Sequence, residues 1–402
     1  KRPFLTFDYT NQYIMQVVND QRMNKPGIQI LPVGSGSDIE VAHTLEGLFR
    51  HIEYASRAGI AYDTSIEHAA RVGLGWLRVV PEIVDPETNE QEIRIKRVVN
   101  PLSVMLDANS TEPDGSDAIE GHVETTYTEK AFKRAYPKAK IYGSDTGGWY
   151  GKDAVRACEH FEVVTKKQNR LIVQGPEGER MTLSEDEYWQ LAKQVGFKPE
   201  VIGRYIAEVR SVEWIKYCGD EIFEETTFPA PWIPLIPVLG YELWVDDTRY
   251  VCGLTRRMMD QQVAYNIART AETEMVSKSP KQPWLVSAPT VAAHQQFWEN
   301  SDKSNAPYLP WDAYDTEGRQ LPKPERQMPA QVSPGYLQLA QASLGDMEAS
   351  VGMYRANLGQ TSNETSGKAI NARARQGSIA NYHYVDNQAR AIEQLGRVII
   401  SM

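Results

Sequence analysis

The chain has 402 residues, 41% of them apolar and 24% charged, with a formal net charge of −10, which gives room for two or three domains. No window approaches eighteen uninterrupted apolar residues, which excludes a helical membrane span, and no signal peptide is visible. The acidic balance argues against a protein that coats nucleic acid, because such binding rests on many basic contacts.

The predicted elements begin with a helix over Tyr13–Asn24 and a short strand over Ile28–Pro32. A second helix, Asp38–Arg57, has a cap at Ser37 or Asp38 and apolar positions at Ile39, Ala42, Leu45, Leu48, Phe49 and Ile52. A third, Ala61–Val72, is closed by Gly73 and Gly75. The period then changes to two. Trp76–Val84 and Glu92–Val99 flank the turn residues Asp85–Glu90, which predicts a hairpin. Short strands follow at Val104–Leu106 and Glu120–Thr126, with a loop dense in Asp, Asn, Ser, Pro and Gly between them.

Asp107, Asp114 and Asp117 in that loop are hard oxygen donors, a calcium-like set. Their spacing departs from the EF-hand and no glutamate closes it, so the competing reading is a surface turn bonded to its own backbone. Thr128–Tyr136 is expected to be helical, Val155–Lys167, Arg170–Val173 and Glu208–Tyr217 to be antiparallel strands, and Leu183–Val195 to be a helix. Phe228–Pro237 holds four prolines and reads as an extended crossing. It separates an α+β region from a helical one.

The helical region opens with Leu254–Lys278, where Met259, Val263, Ile267, Ala271 and Met275 recur every four residues. Arg256, Arg257, Asp260, Gln261, Asn266, Arg269 and Glu272 form the opposite face. A Pro/Trp-rich stretch, Ser279–Ser333, has no regular period. Pro334–Leu358 follows, with Ser333 as cap, Pro334 at the first helical position and a seam of Leu337, Ala340, Leu344, Met347, Val351 and Tyr354. A polar break, Gly359–Gly367, leads to the long helix Lys368–Met402. At 1.5 Å per residue the last two helices are roughly 36 and 50 Å long. Stripes this narrow bury one side only, against either a neighbour in the same chain or a copy of it.

Charge follows the same division. Residues 1–247 carry −12, 248–278 +2, 279–366 −3 and 367–402 +3. The odd count of three cysteines, Cys158, Cys218 and Cys252, fits unpaired thiols in a reducing compartment. The chain starts at Lys1 and stops within an apolar helical pattern (Val398, Ile399, Ile400), so both ends are expected to continue.

No catalytic motif is complete. Gly359–Lys368 resembles a phosphate loop, but seven residues separate its glycines where four are needed, and Ala369 follows the lysine. No His-Glu-x-x-His, paired Cys-x-x-Cys or Gly-x-Ser-x-Gly occurs. His43, His51 and His68 read as ordinary structural residues. Lys368, Arg373 and Arg375 make a small basic cluster that contacts DNA phosphate only if its helix lines a channel.

This order of elements, an α+β region, a proline-rich crossing, a helix, a Pro/Trp-rich insert, a second helix, a polar loop and a long helix, resembles the portal proteins of tailed bacteriophages. Pro3–Phe7, Asn19–Arg22, Asp114–Asp117 and Lys278–Trp284 are most similar to those of short-tailed (podovirus-type) phages. The resemblance implies an α+β portal fold assembled as a ring, typically of twelve subunits, at one capsid vertex in the virion, after assembly in the host cytoplasm. Residues 1–247 would be the wing, 248–278 the first stem helix, 279–332 a small α/β clip, 333–358 the second stem helix, 359–367 the tunnel loop and 368–402 the long wing helix. A C-terminal crown or barrel, frequent in such portals, is not in this chain.

The resemblance further implies that Gln360, Thr361, Ser362, Asn363, Glu364, Thr365, Lys368, Arg373 and Arg375 face double-stranded DNA. Met259, Val263, Ile267, Leu337, Leu344, Met347 and Val351 would pack between subunits, and Trp298, Tyr308 and Trp311 would meet clip partners. Those partners would be the large terminase subunit and the tail adaptor, with major capsid and scaffolding proteins elsewhere. No cofactor, metal, membrane contact or catalytic residue is implied. Two alternatives stand beside it: a metal-dependent nuclease using Asp107–Asp117, and another ring protein of the phage neck.

Overall fold

The computed structural model describes residues 4–33, 38–139, 148–150, 154–174, 180–195, 199–278, 284–301, 303, 305, 307–327, 334–353 and 367–402. Side chains are described for these except 194, 195, 278 and 367–380. In chain order the elements are α1 (Thr10–Met23), α2 (Ile39–Ser56), α3 (Ala58–Val72), β1 (Leu74–Asp85), β2 (Glu90–Arg97), β3 (Val104–Leu106), β4 (Glu120–Thr128) and α4 (Glu129–Ala135). Then come β5 (Ala154–Gln174), β6 (Arg180–Ser184), α5 (Glu185–Val195), β7 (Glu200–Cys218), β8 (Glu221–Phe228), β9 (Leu235–Leu239), β10 (Tyr241–Val245) and β11 (Thr248–Cys252). The remainder is α6 (Leu254–Lys278), β12 (Trp284–Leu285), α7 (Ala288–Val291), α8 (Gln295–Glu299), β13 (Glu325–Arg326), α9 (Pro334–Val351) and α10 (Gly367–Ser401).

The chain divides into a larger unit, Asn11–Arg256 with Met353–Met402, and a smaller one, Lys1–Thr10 with Arg257–Gly352. In the larger unit β1 pairs antiparallel with β2 and β9, and a second antiparallel sheet runs β3-β4-β5-β7-β8 with β6 on β5. Its core gathers Phe49 and Ile52 of α2, Tyr62 and Ala69 of α3, Leu77 and Val79 of β1, Ile236 and Val238 of β9, Phe161 and Val212 of the second sheet, and Ile392, Leu395 and Val398 of α10. Pro237 lies within β9, where it is tolerated because β9 is an edge strand paired with β1 alone. Glu159 is buried, and Arg78 (2.5 Å), Trp214 Nε1 (3.1 Å) and Lys216 (3.9 Å) surround its carboxylate. A carboxylate so far from water requires such partners.

Helix ends follow the capping chemistry. Asp38 accepts from the Glu40 amide at the start of α2, and Thr128 from Ala131 at the start of α4. Gly73, at φ 98°, closes α3 in the left-handed region. Gly75 is demanded by a close approach, since a Cβ there would sit 1.9 Å from the Ser65 carbonyl oxygen.

Three expectations change. Ile28–Pro32 forms no strand. Ile28 instead packs against the core beside Gly396 of α10, where a Cβ would meet its Cδ1 at 2.8 Å. The segments expected at Val155–Lys167 and Arg170–Val173 are one 21-residue strand, β5, whose ladder with β7 continues through the exposed Lys166–Asn169. Seven strands among the described residues were not foreseen: β6, β8 and β9 in the two larger sheets, and the pairs β10–β11 and β12–β13.

Candidate functional site

The smaller unit is organised around α6. The buried side of α6 is neither its apolar stripe nor most of the polar face opposite: Met258, Tyr265, Ala268, Asn266 and Thr270 are at most 9% exposed, whereas Arg256, Arg257 and Asp260 are exposed. Asn266, read from sequence as part of the polar face, is thus buried. Its amide is covered by the extended segment Leu5–Tyr9. Tyr9 N–H donates to Gln262 Oε1 (3.0 Å), Phe7 N–H to Asn266 Oδ1 (3.0 Å) and Leu5 N–H to Thr270 Oγ1 (3.1 Å). Gln262 Nε2 donates back to the Phe7 carbonyl and to Asn266 Oδ1 (3.1 Å), and Thr270 Oγ1 to the Leu5 carbonyl (3.4 Å).

The match has a geometric cause. Four helical residues rise about 6.0 Å and two extended residues about 6.6–6.8 Å, so every second residue of the strap meets every fourth of the helix. Aromatic packing reinforces it. Tyr265 meets Phe7 and Tyr9 edge to face, at 6.1 and 4.9 Å between centroids, and Arg269 lies over the Phe7 ring. Burial, then the hydrogen bond to Tyr9, pushes the Tyr265 hydroxyl up to about 12. Residues 4–9 therefore pack with α6, although the sequence reading placed them in the region 1–247.

The stripe itself is open. Met259, Val263 and Ile267 are 41%, 48% and 52% exposed. On α9 the seam divides. Leu337 is exposed and Leu344 half-buried, whereas Met347 and Val351 are buried, together with Ala340 and Ser343. The insert between the helices has its own small assembly. β12 pairs with β13, Trp298 stacks edge-on against Trp284, and Trp298 Nε1 donates to the Pro310 carbonyl (2.8 Å). Trp298 thus holds the insert together. Trp311 is half-buried, while Tyr308 is exposed, as are Phe297 and Tyr314. Phe297 was not singled out from sequence, because one Phe in a stretch without period carries no directional signal.

Gln360, Thr361, Ser362, Asn363, Glu364 and Thr365 lie outside the described residues, as do the side chains of Lys368, Arg373 and Arg375. The backbone of α10 begins at Gly367, which puts Lys368 in its first turn.

In the Asp107–Asp117 loop each carboxylate is committed to its own turn. Asp107 accepts from the Asn109 and Ile119 amides, Asp114 from the Ser116 amide, and Asp117 from the Ser110 hydroxyl and the Thr111 and Glu112 amides. Partial burial raises the Asp117 pKa, but those donors outweigh it and hold the carboxyl below its ordinary value. Among the described residues no three His, Cys, Asp or Glu side chains are grouped to hold a metal, and no helix is long and apolar enough to cross a membrane.

The family of phage P22-like portal proteins matches the chain over residues 1–402. The chain belongs to that family. A relative named as the portal protein of Acyrthosiphon pisum secondary endosymbiont phage 1 is 23% identical, with the whole of this chain aligned. The chain spans 58% of that relative's length. The mixed helix and sheet architecture is in keeping with a portal fold.

Proposed function

We propose that this chain is the subunit of a portal ring at one capsid vertex of a short-tailed phage, through which double-stranded DNA is packaged and later ejected. The observation that carries the reading is the family match along the full chain, and the exposed Met259, Val263 and Ile267 support it. An apolar stripe left open by one subunit is what a closing, head-to-tail ring contact uses. In this reading the α+β region is the wing, α6 and α9 are the stem helices, residues 279–332 the clip, 359–367 the tunnel loop and α10 the wing helix.

The portal resemblance implies about twelve copies in the ring, closed by head-to-tail contacts. The clip, with Tyr308 exposed and Trp298 bracing it, meets the terminase large subunit and then the tail adaptor, and the wing meets capsid and scaffolding proteins. Lys368, Arg373 and Arg375 lie where DNA passes. In this reading the protein acts as a conduit, and ATP hydrolysis belongs to the motor. The mass of the native particle, with electron-microscopic class averages, tests this. A ring with a central hole is expected, and a chain that stays monomeric or dimeric under all assembly conditions overturns it. Lys368→Glu should then lower packaging while leaving rings intact.

A further inference from the structure

In the larger unit β5 and β7 run on past their flanking strands. β4 pairs with β5 only as far as Glu162, and β8 with β7 only from Val212. β6 joins β5 at Arg170. Between those limits Val164–Asn169 and Ile206–Ser211 pair with each other alone, as a two-stranded ribbon with both edges open. Thr165–Asn169 are exposed, whichever face they take. A ribbon of two strands is marginal in water and needs cover.

Arg204, Ile206 and Arg210 lie in one row on β7, because residues an even number apart on a strand share a face. Ile206 is 66% exposed. Lys166, Lys167 and Arg170 each have a carboxylate nearby, at 3.1, 3.8 and 3.3 Å. Among the described residues Arg204 and Arg210 make no ion pair. The row is an apolar knob between two unanswered cations.

The same unit holds a matching hole. A pocket of about 490 Å³ opens where β1 passes β7 and β8, with apolar walls from Ile83, Phe161, Trp214 and Phe228. The Arg78–Glu159 pair that also lines it is closed on itself. Glu224 lines it too, exposed and without an ion pair among the described residues. Lys216, opposite Glu224 in the register, reaches Glu159 instead (3.9 Å). Asp220, Glu221, Glu224 and Glu225 make this free sheet edge acidic. Ile206 stands eight residues along β7 from Trp214, roughly 27 Å on an extended strand, so it does not reach the pocket of its own chain.

A head-to-tail contact needs two different, complementary patches on one chain. Apolar anchors seated in pockets carry most of the energy of an interface, and opposite charges around them set partner and register. We propose that Ile206 of one subunit seats in this pocket of the next, with Arg204 and Arg210 against the neighbour's Glu224 and acidic β8 edge. The proposal rests on the ring reading and adds a contact in the α+β region to that of the α6 stripe.

The test is disulfide trapping between copies of the full chain carrying both Ile206→Cys and Thr226→Cys, the second an exposed pocket position. Rings identified by native mass and then oxidised should give a ladder of dimers and higher species on non-reducing gels. Each single variant should run as one chain. Separately, Ile206→Ser, a change at an exposed side chain, should raise the concentration at which half of the subunits are in rings by about 10-fold or more. Glu224→Arg should weaken assembly as well, and Arg210→Glu in the same chain should restore it. Rings of normal mass without a ladder, or assembly indifferent to Ile206→Ser, would overturn the contact and leave the ring reading standing. A wild-type chain that forms no ring would overturn both. A link within one chain, or to capsid or scaffolding protein in assembled particles, would overturn the contact alone.

Discussion

The two units solve the same burial problem in opposite ways. In the larger one, Leu77, Val79, Val212, Val238, Leu395 and Val398 are fully covered, and the apolar positions of α10 point into that core. In the smaller one, Met259, Val263, Ile267, Leu337 and Leu339 are 41–52% exposed, and α6 turns amide and hydroxyl groups inward to hold an extended strap. A period of three or four apolar residues announces a buried stripe. It does not announce which molecule does the burying. The larger unit encloses a covered core, although Tyr54, Val99 and Leu102 stay exposed on it, whereas in the smaller one the periodic stripe of α6 is itself open.

The largest way to break this contrast is in the larger core. Leu77→Ala should cost about 2–5 kcal/mol, read as a lowered midpoint in denaturant unfolding. A loss below about 1 kcal/mol would mean that the core is loose enough to collapse around the gap. Next comes the strap. Asn266→Ala leaves the Phe7 amide and Gln262 without their shared acceptor, at about 1–3 kcal/mol. Hydrogen exchange at Leu5 and Phe7 should accelerate while the larger unit melts unchanged. Loss of both together would show that the units are not independent.

A smaller effect is expected from Asp117. Its carboxyl is held below the ordinary 3.8, so the stability it adds is complete above that value and is lost as pH falls through its own lower one. Asp117→Asn should therefore melt earlier than wild type near neutrality, and the two should converge in acid, as followed by thermal scans across pH. The smallest effect is the most telling. Val263→Ser should change the stability of the separate chain by no more than about 0.5 kcal/mol yet shift the population from rings to free subunits, read by native mass. An unchanged distribution would remove α6 from the subunit contact.

Legibility from sequence followed how local the physics was. The bounds of α6, the Asp38 cap, the closing Gly73 and the β1–β2 hairpin are set within a few residues and were readable, whereas Thr128 was read as helical and is the cap of α4. The continuity of β5 was not. Gln168 and Asn169 look like a break, but β7 supplies their backbone partners in a solvent-facing ladder. The strap was also missed, although it left a trace in the alternation of Leu5, Phe7 and Tyr9 and the four-residue spacing of Gln262, Asn266 and Thr270. Neither half means anything without the other. On α9, Met347 and Val351 read as one seam with Leu337, and only the tertiary arrangement separates covered from open positions. The tunnel-loop assignments rest on the portal resemblance alone.

The strap also has a consequence in time. Leu5 and Tyr9 are separated from their helical partners by 265 and 253 positions. A ribosome adding about 5–20 residues per second reaches those partners roughly 13–50 s after the strap has been made. For that interval Phe7 and Tyr9 are without the polar ladder that later holds them. Their placement is a late event of biosynthesis, scheduled by the completion of α6.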